Sequence, residues 1–181
     1  ARWLNRQAGK AVSAVGSPVN PRRIMNALVP RGIEDVFVDD ELLGAELPAL
    51  NGCFTARSLA KIYAMLAGFG TIGKTTLMSP DTVEEARQIQ HRHRDLVLVL
   101  PMLWRLGYHR IPAGPTAFGH FGFGGSGGWA DPDLELSVAM VCNRGTGTPV
   151  GDMRLVALGR AAAASINEIE DRRPSQVGAA G

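Results

Sequence analysis

Residues 119–129 read GHFGFGGSGGW, six glycines in eleven positions, and run directly into ADPDLELSVAMVCNR. Glycine is about 1 kcal/mol worse than alanine at each interior helix position, so this stretch is not a helix. Downstream, Leu134, Leu136, Val138, Met140 and Cys142 alternate with more polar residues, the period of a half-buried strand. Asp131, Pro132 and Asp133 supply a tight turn ahead of them. The segment therefore predicts a glycine-rich strand, a turn and a second, antiparallel strand.

Such a hairpin needs helices to cover it, and the flanking sequence supplies them. Residues 1–14 allow a short helix, broken by Gly16, Pro18 and Pro21. Asn20 ahead of Pro21 is a capping pair that starts a helix over PRRIMNAL. Residues 30–52 read as irregular, punctuated by Pro30, Gly32, Gly44, Pro48 and Gly52. Thr55 opens the clearest helix, ARSLAKIYAMLAGFG, with Leu59, Ile62, Tyr63 and Leu66 on one face and Gly68 and Gly70 closing it. Ser79, Pro80 and Asp81 start another, through TVEEARQIQ. DLVLVLP and LWRLGYH read as strands or extended segments, and a last helix runs from near Val150 to about Glu170.

Helices, then antiparallel strands, then a packing helix is the α+β arrangement. Only three strands are expected, so the sheet is small and has an exposed edge. We read residues 1–171 as part of one domain, helical over about 1–93 and sheet plus final helix over about 95–171, with 172–181 a disordered tail. With 45% hydrophobic and 20% charged residues in 181, the chain has material for one sizeable core.

A net charge of +2 with scattered arginines excludes a broad electrostatic case for nucleic acid. No segment approaches the roughly 18 apolar residues of a membrane span. Cys53 and Cys142 lack metal-ligand spacing, and His91 and His93 have no nearby acidic or histidine partner at ligand spacing, so no metal or cofactor is expected. Localisation is not fixed by any of these features. The chain opens at Ala1 without an initiating methionine, which fits a processed chain or a piece of something longer.

Two serines invite a catalytic reading. Gly124-Gly125-Ser126-Gly127-Gly128 satisfies G-x-S-x-G, but a nucleophile elbow lies between a strand and a helix, and here a hairpin follows. A phosphate cradle fails for the same reason, since no helix N-terminus follows the glycines. Ser58 and Lys61 form S-x-x-K in the first turn of an amphipathic helix, where packing explains the neighbours. His120 stands where a glycine-rich edge lets a substrate approach the backbone, and strand amides there can donate to a developing oxyanion. The residues alone leave it open between that role and a locally hydrogen-bonded structural histidine.

The run from Gly119 to Arg144 resembles the third conserved motif and following hairpin of the serine β-lactamase and penicillin-binding-protein-like hydrolases. The likeness is greatest to the class C-like branch, which includes many esterases. The family's Lys-Thr-Gly or His-x-Gly corresponds to His120-Phe121-Gly122, the turn to Asp131-Pro132-Asp133, and the ending to Asn143-Arg144. PALNGCFTARSLAKIYAMLAGFG is similar to the family's helical segment, in which Ser58 and Lys61 are ordinary positions. LMSPDTVEEA and WRLGY follow in the family's order, so the resemblance spans roughly residues 25–165.

The family's early S-x-x-K nucleophile and its Tyr-x-Asn triplet have no counterpart here: Tyr63 precedes Ala64-Met65 and Tyr108 precedes His109-Arg110. The resemblance thus implies the C-terminal portion of a serine hydrolase, with a partial β-lactamase/transpeptidase-like fold whose sheet lacks two N-terminal strands. It implies an esterase working through an acyl-enzyme, in a parent of carboxylesterase, β-lactamase or D-Ala-D-Ala carboxypeptidase type. Its substrate is a small ester, amide or β-lactam. His120 takes the place of the motif lysine, Gly122 permits close approach, and the amide of Phe123 is the second oxyanion donor. The chain alone is expected to be inactive. The rival expectation is a non-catalytic binding or structural module, self-associating or pairing with the N-terminal half.

Overall fold

The computed structural model describes residues 21–28, 40–47, 51–122, 124–144 and 153–172. The helix expected over 1–14 lies outside them, as do residues 173–181 of the tail expected over 172–181, whose first residue, Arg172, ends the last helix. The chain divides into two compact units, residues 1–55 with 92–102, and residues 56–91 with 103–181.

In the first unit, α1 (Pro21–Leu28) starts at the proline, as the Asn20-Pro21 pair predicts. A second short helix, α2 (Asp40–Gly44), interrupts a stretch expected to be irregular. The Asn51 side chain donates to the carbonyls of Leu42 (2.6 Å) and Ala45 (2.7 Å), closing the end of α2 from beyond the loop that follows it. The DLVLVLP segment is a turn instead of a strand. Asp95 Oδ1 accepts from the amides of Val97 (2.8 Å) and Leu98 (2.7 Å), and the Asp95 carbonyl accepts from Val99 N–H. Those local bonds occupy the donors a sheet would need.

The second unit carries the sheet. Helix α3 (Ala56–Ala67) buries Tyr63, Met65, Leu66 and Ala67. It ends where Gly70, at φ +96°, donates back to the Met65 carbonyl at 2.8 Å. A two-residue hairpin follows, β1 (Thr71–Ile72) with β2 (Thr75–Thr76). Helix α4 (Pro80–Arg87) is capped by Ser79, whose hydroxyl accepts from Thr82 N–H, and stops at Gln88, short of the expected end.

The main sheet is antiparallel, in the order β3 (His109–Arg110), β4 (Phe118–Phe121), β5 (Gly127–Asp131), β6 (Leu136–Met140). It has four strands where three were expected: the glycine-rich run joins two strands, β4 and β5, and of LWRLGYH only His109 enters the short β3. Leu134 falls in the β5–β6 turn, while Asp131 ends β5 fully buried and accepts from Thr116 Oγ1 at 2.6 Å and Asp133 N–H at 3.2 Å.

Strand alternation divides the core between the two faces. Phe118 and Ala130 face α3, in a cluster with Tyr63, Met65, Leu66, Ala67 and Val83. Trp129 faces the other way, with Ile111, Ala117 and Leu155. Leu155 belongs to α5 (Met153–Arg172), the expected final helix. Backbone closeness makes both contacts possible: a Cβ at Gly128 would stand 2.5 Å from the Tyr63 ring, and one at Gly159 would stand 2.5 Å from the Trp129 ring. Helices and a small antiparallel sheet make the fold α+β, as the sequence indicates.

Candidate functional site

The His120-Phe121-Gly122 triplet forms the end of β4. In register, His120 lies opposite Gly128 and Phe121 opposite Gly127, so two glycines of the neighbouring strand back the two side chains. Gly122 then donates to the Ser126 carbonyl at 2.8 Å, and Gly125 to the Gly122 carbonyl at 3.1 Å, turning the chain into β5. A Cβ on Gly122 would meet Ser126 O at 3.0 Å, a tight contact that glycine avoids. Phe123, the expected amide donor, lies outside the described residues.

His120 presents an exposed surface, yet its imidazole is crowded enough that burial holds its pKa below the ordinary histidine value. It is therefore a neutral ring at neutral pH, able to donate or accept one hydrogen bond at each nitrogen position according to tautomer. Beside it, at 5.4 Å between ring centroids, stands His109, only 4% exposed. His109 Nε2 accepts from Phe121 N–H at 3.1 Å, and its Nδ1 lies 2.9 Å from the Arg110 carbonyl. A carbonyl only accepts, so Nδ1 carries the proton and the ring is neutral. Burial, with smaller contributions from His120 and Arg105, lowers the His109 pKa, and the Arg110 carbonyl partly opposes this.

On the α3 face of the sheet, the Tyr63 ring packs against Gly128, the residue opposite His120. Burial and the nearby Tyr108 push the pKa of the Tyr63 phenol well above the usual tyrosine value, so it stays protonated. Helix α3 thus packs on the sheet beside His120 through a side chain that the sequence marks only as an apolar-face position.

The two serines are placed differently. Ser126 Oγ accepts from Cys142 N–H at 2.9 Å, and Ser126 leads directly into β5 with no helix after it. Its hydroxyl is a structural tie between two strand ends. Ser58 and Lys61 are exposed in the first turns of α3. Among the described residues no group of three or more His, Cys, Asp or Glu side chains is arranged to hold a metal ion. No described helix is long and apolar enough to cross a membrane.

The family model described as Beta-lactamase matches residues 3–163. The chain belongs to the beta-lactamase family. Among its relatives in that family is the esterase/beta-lactamase LipL of Mycobacterium tuberculosis (strain ATCC 25618 / H37Rv). The two are 40% identical over 118 residues, which is 64% of this chain and 28% of LipL.

Two solved structures share the beta-lactamase-family fold. A novel penicillin-binding protein homolog from Caulobacter crescentus superposes with a TM-score of 0.57 at 39% identity, over 61% of this chain and 32% of that one. A family VIII carboxylesterase superposes with a TM-score of 0.67 at 27% identity, over 80% and 41% respectively. The α3–sheet–α5 arrangement is therefore a partial beta-lactamase/esterase fold. This family member spans less than half the length of each of these relatives.

The strand end that carries His120 was legible in the sequence. The packing of His109 and Tyr63 around it was not. No local pattern marks a lone histidine before a strand, or a tyrosine on an apolar helix face, as a neighbour of a distant strand end.

Proposed function

We propose that the chain is the C-terminal portion of a serine hydrolase that cleaves small carboxylic esters through an acyl-enzyme. One observation carries this reading: in a chain of this family, His120-Phe121-Gly122 ends an accessible strand with a neutral histidine at its surface, while Ser126 is committed to the Cys142 amide. The nucleophilic serine then comes from residues outside this chain. Its hydroxyl attacks the ester carbonyl, the tetrahedral oxyanion collapses, and the alcohol leaves. Water attacks the acyl-serine, releasing the acid and restoring the hydroxyl.

In that sequence His120 orients the carbonyl and assists transfer of the proton to the departing alkoxide. The Phe123 amide donates to the oxyanion beside the amide of the nucleophile itself. A neutral imidazole holds a carboxylate less strongly than an ammonium does, which favours uncharged esters over β-lactams. Labelling with a fluorophosphonate probe, read by peptide mass spectrometry, tests the assignment. The chain alone should remain unlabelled, and joined to the N-terminal half it should turn over short acyl esters faster than β-lactams. A stoichiometric adduct on Ser58 or Ser126 of the isolated chain would overturn the reading, and faster β-lactam turnover would overturn the ester preference.

A second reading, a non-catalytic module that docks with another chain, is favoured by the outer edge of β6. Among the described residues β6 pairs only with β5, so its other edge offers ladder groups to a further strand. Light scattering after size-exclusion chromatography tests it. A clean monomer at micromolar concentration that also fails to bind the N-terminal half would exclude it.

A further inference from the structure

We propose that His109 is a positioning residue for the His120-Phe121-Gly122 wall, its Nε2 lone pair closing the Phe121 amide that β3 is too short to reach. The inference rests on the reading of that wall as the substrate side of the site. Three observations on the second unit carry it.

The first is the ladder itself. β3 has only two residues, with His109 opposite Gly119 and Arg110 opposite Phe118. Continuing the register would put Gly107 opposite Phe121. Gly107, at φ +77°, instead bends the chain away in a turn that Arg105 N–H closes onto the Tyr108 carbonyl at 2.8 Å. Phe121 N–H therefore has no backbone acceptor on that side. The side chain of His109, the β3 residue at that end of the ladder, folds over the strand end and supplies one at 3.1 Å. A backbone donor without a partner in a crowded place is unfavourable, so this replacement has a defined purpose.

The second is the fixed tautomer. Nδ1–H donates to the Arg110 carbonyl, which leaves Nε2 as a lone pair aimed at the amide. A protonated His109 would present N–H to N–H and lose the bond. The third is the packing. The His109 ring meets the edges of three aromatic neighbours: Trp104 at 5.8 Å and 89°, Phe121 at 5.3 Å and 79°, and His120 at 5.4 Å and 65°. Successive strand side chains leave opposite faces, so a ring that touches both His120 and Phe121 must lie across the strand end. From there it sets the plane of His120 and the height of the backbone between His120 and Gly122.

The test is imidazole and amide NMR on the 15N-labelled chain, with His109→Gln and His109→Leu as variants. In the wild type, His109 should show the Nδ1–H tautomer across pH 6.5–8, with Phe121 N–H protected from exchange. A glutamine side-chain carbonyl can accept from the same amide, so His109→Gln should retain the protection. His109→Leu should raise Phe121 exchange by about tenfold, the worth of one such hydrogen bond. An Nε2–H tautomer in the wild type, or equal Phe121 exchange in the two variants, would overturn the proposal. The wild-type tautomer decides the matter even if His109→Leu does not fold. None of these readouts needs turnover: absence of ester hydrolysis in the joined protein would strike the hydrolase reading and leave the tautomer result standing.

Discussion

Gly128→Ala should destabilise the protein and disturb the strand end beside His120, because one glycine lets the Tyr63 ring of α3 reach β5. An alanine Cβ would stand 2.5 Å from both Cδ2 and Cε2 of Tyr63 and 3.1 Å from the Val138 carbonyl oxygen. Carbon atoms rest about 3.5–4.0 Å apart, so the overlap is on the order of an ångström. Tyr63 has little room to yield. It is 7% exposed, and its ring meets Tyr108 at 6.4 Å.

Replacing glycine by alanine in an allowed conformation stabilises by about 0.4–1 kcal/mol through the unfolded chain. Overpacking a core costs about 1–3 kcal/mol. The steric cost wins, leaving a net loss of about 1–2 kcal/mol. For a chain of this size that lowers Tm by about 2–4 °C per kcal/mol. Urea unfolding of Gly128→Ala, Tyr63→Ala and the double variant forms the assay. With the ring removed, Gly128→Ala should become neutral or slightly stabilising, a coupling of about 1–3 kcal/mol between contacting residues. Equal cost of Gly128→Ala in both backgrounds would refute the reasoning, as would a single variant within about 0.5 kcal/mol of wild type.

Gly159→Ala sets a helix-propensity gain of about 1 kcal/mol against overpacking on a fully buried Trp129, whose Cζ2 would stand 2.5 Å from the new methyl; we expect a net loss of about 1–2 kcal/mol in urea unfolding. Ser126→Ala removes the acceptor of the Cys142 amide and should cost about 1 kcal/mol of stability while leaving ester hydrolysis by the joined protein in place; loss of all covalent labelling there would instead make Ser126 the nucleophile. Acid should destabilise the chain through both site histidines, since burial lowers the pKa of His109 and of His120 in the folded state. Between those lowered values and the ordinary value of about 6.5 the unfolded chain binds more protons, so this contribution is complete above about pH 6.5 and is lost as pH falls through the folded-state values. Denaturant midpoints from pH 8 to 5 should fall on the acid side, and His109→Gln should flatten that fall.

Much of the fold was legible because its signals are local. Pro21 and the Ser79-Pro80 pair mark helix starts, since a cap and a fixed φ act within one turn. The apolar spacing around Leu59, Tyr63 and Leu66 marks α3 for the same reason. DLVLVLP misleads because its composition fits a strand, while the Asp95 carboxylate takes up the Val97 and Leu98 amides. A β propensity expresses itself only when a partner strand is present. LWRLGYH is misleading in another way, since the chain bends at Gly107 and only His109 of the segment enters the ladder.

The sequence by itself determined the elements that close within a few residues, and the His-x-Gly triplet that places the chain's candidate site on a strand end. Only the tertiary structure decided which residues support that site. His109 reaches Phe121 across 12 positions, and Ser126 is tied to Cys142 across 16. Each of these bonds exists because antiparallel pairing brings distant backbone groups together. No local preference encodes such a contact: its energy appears only after the chain has closed the loop between the partners.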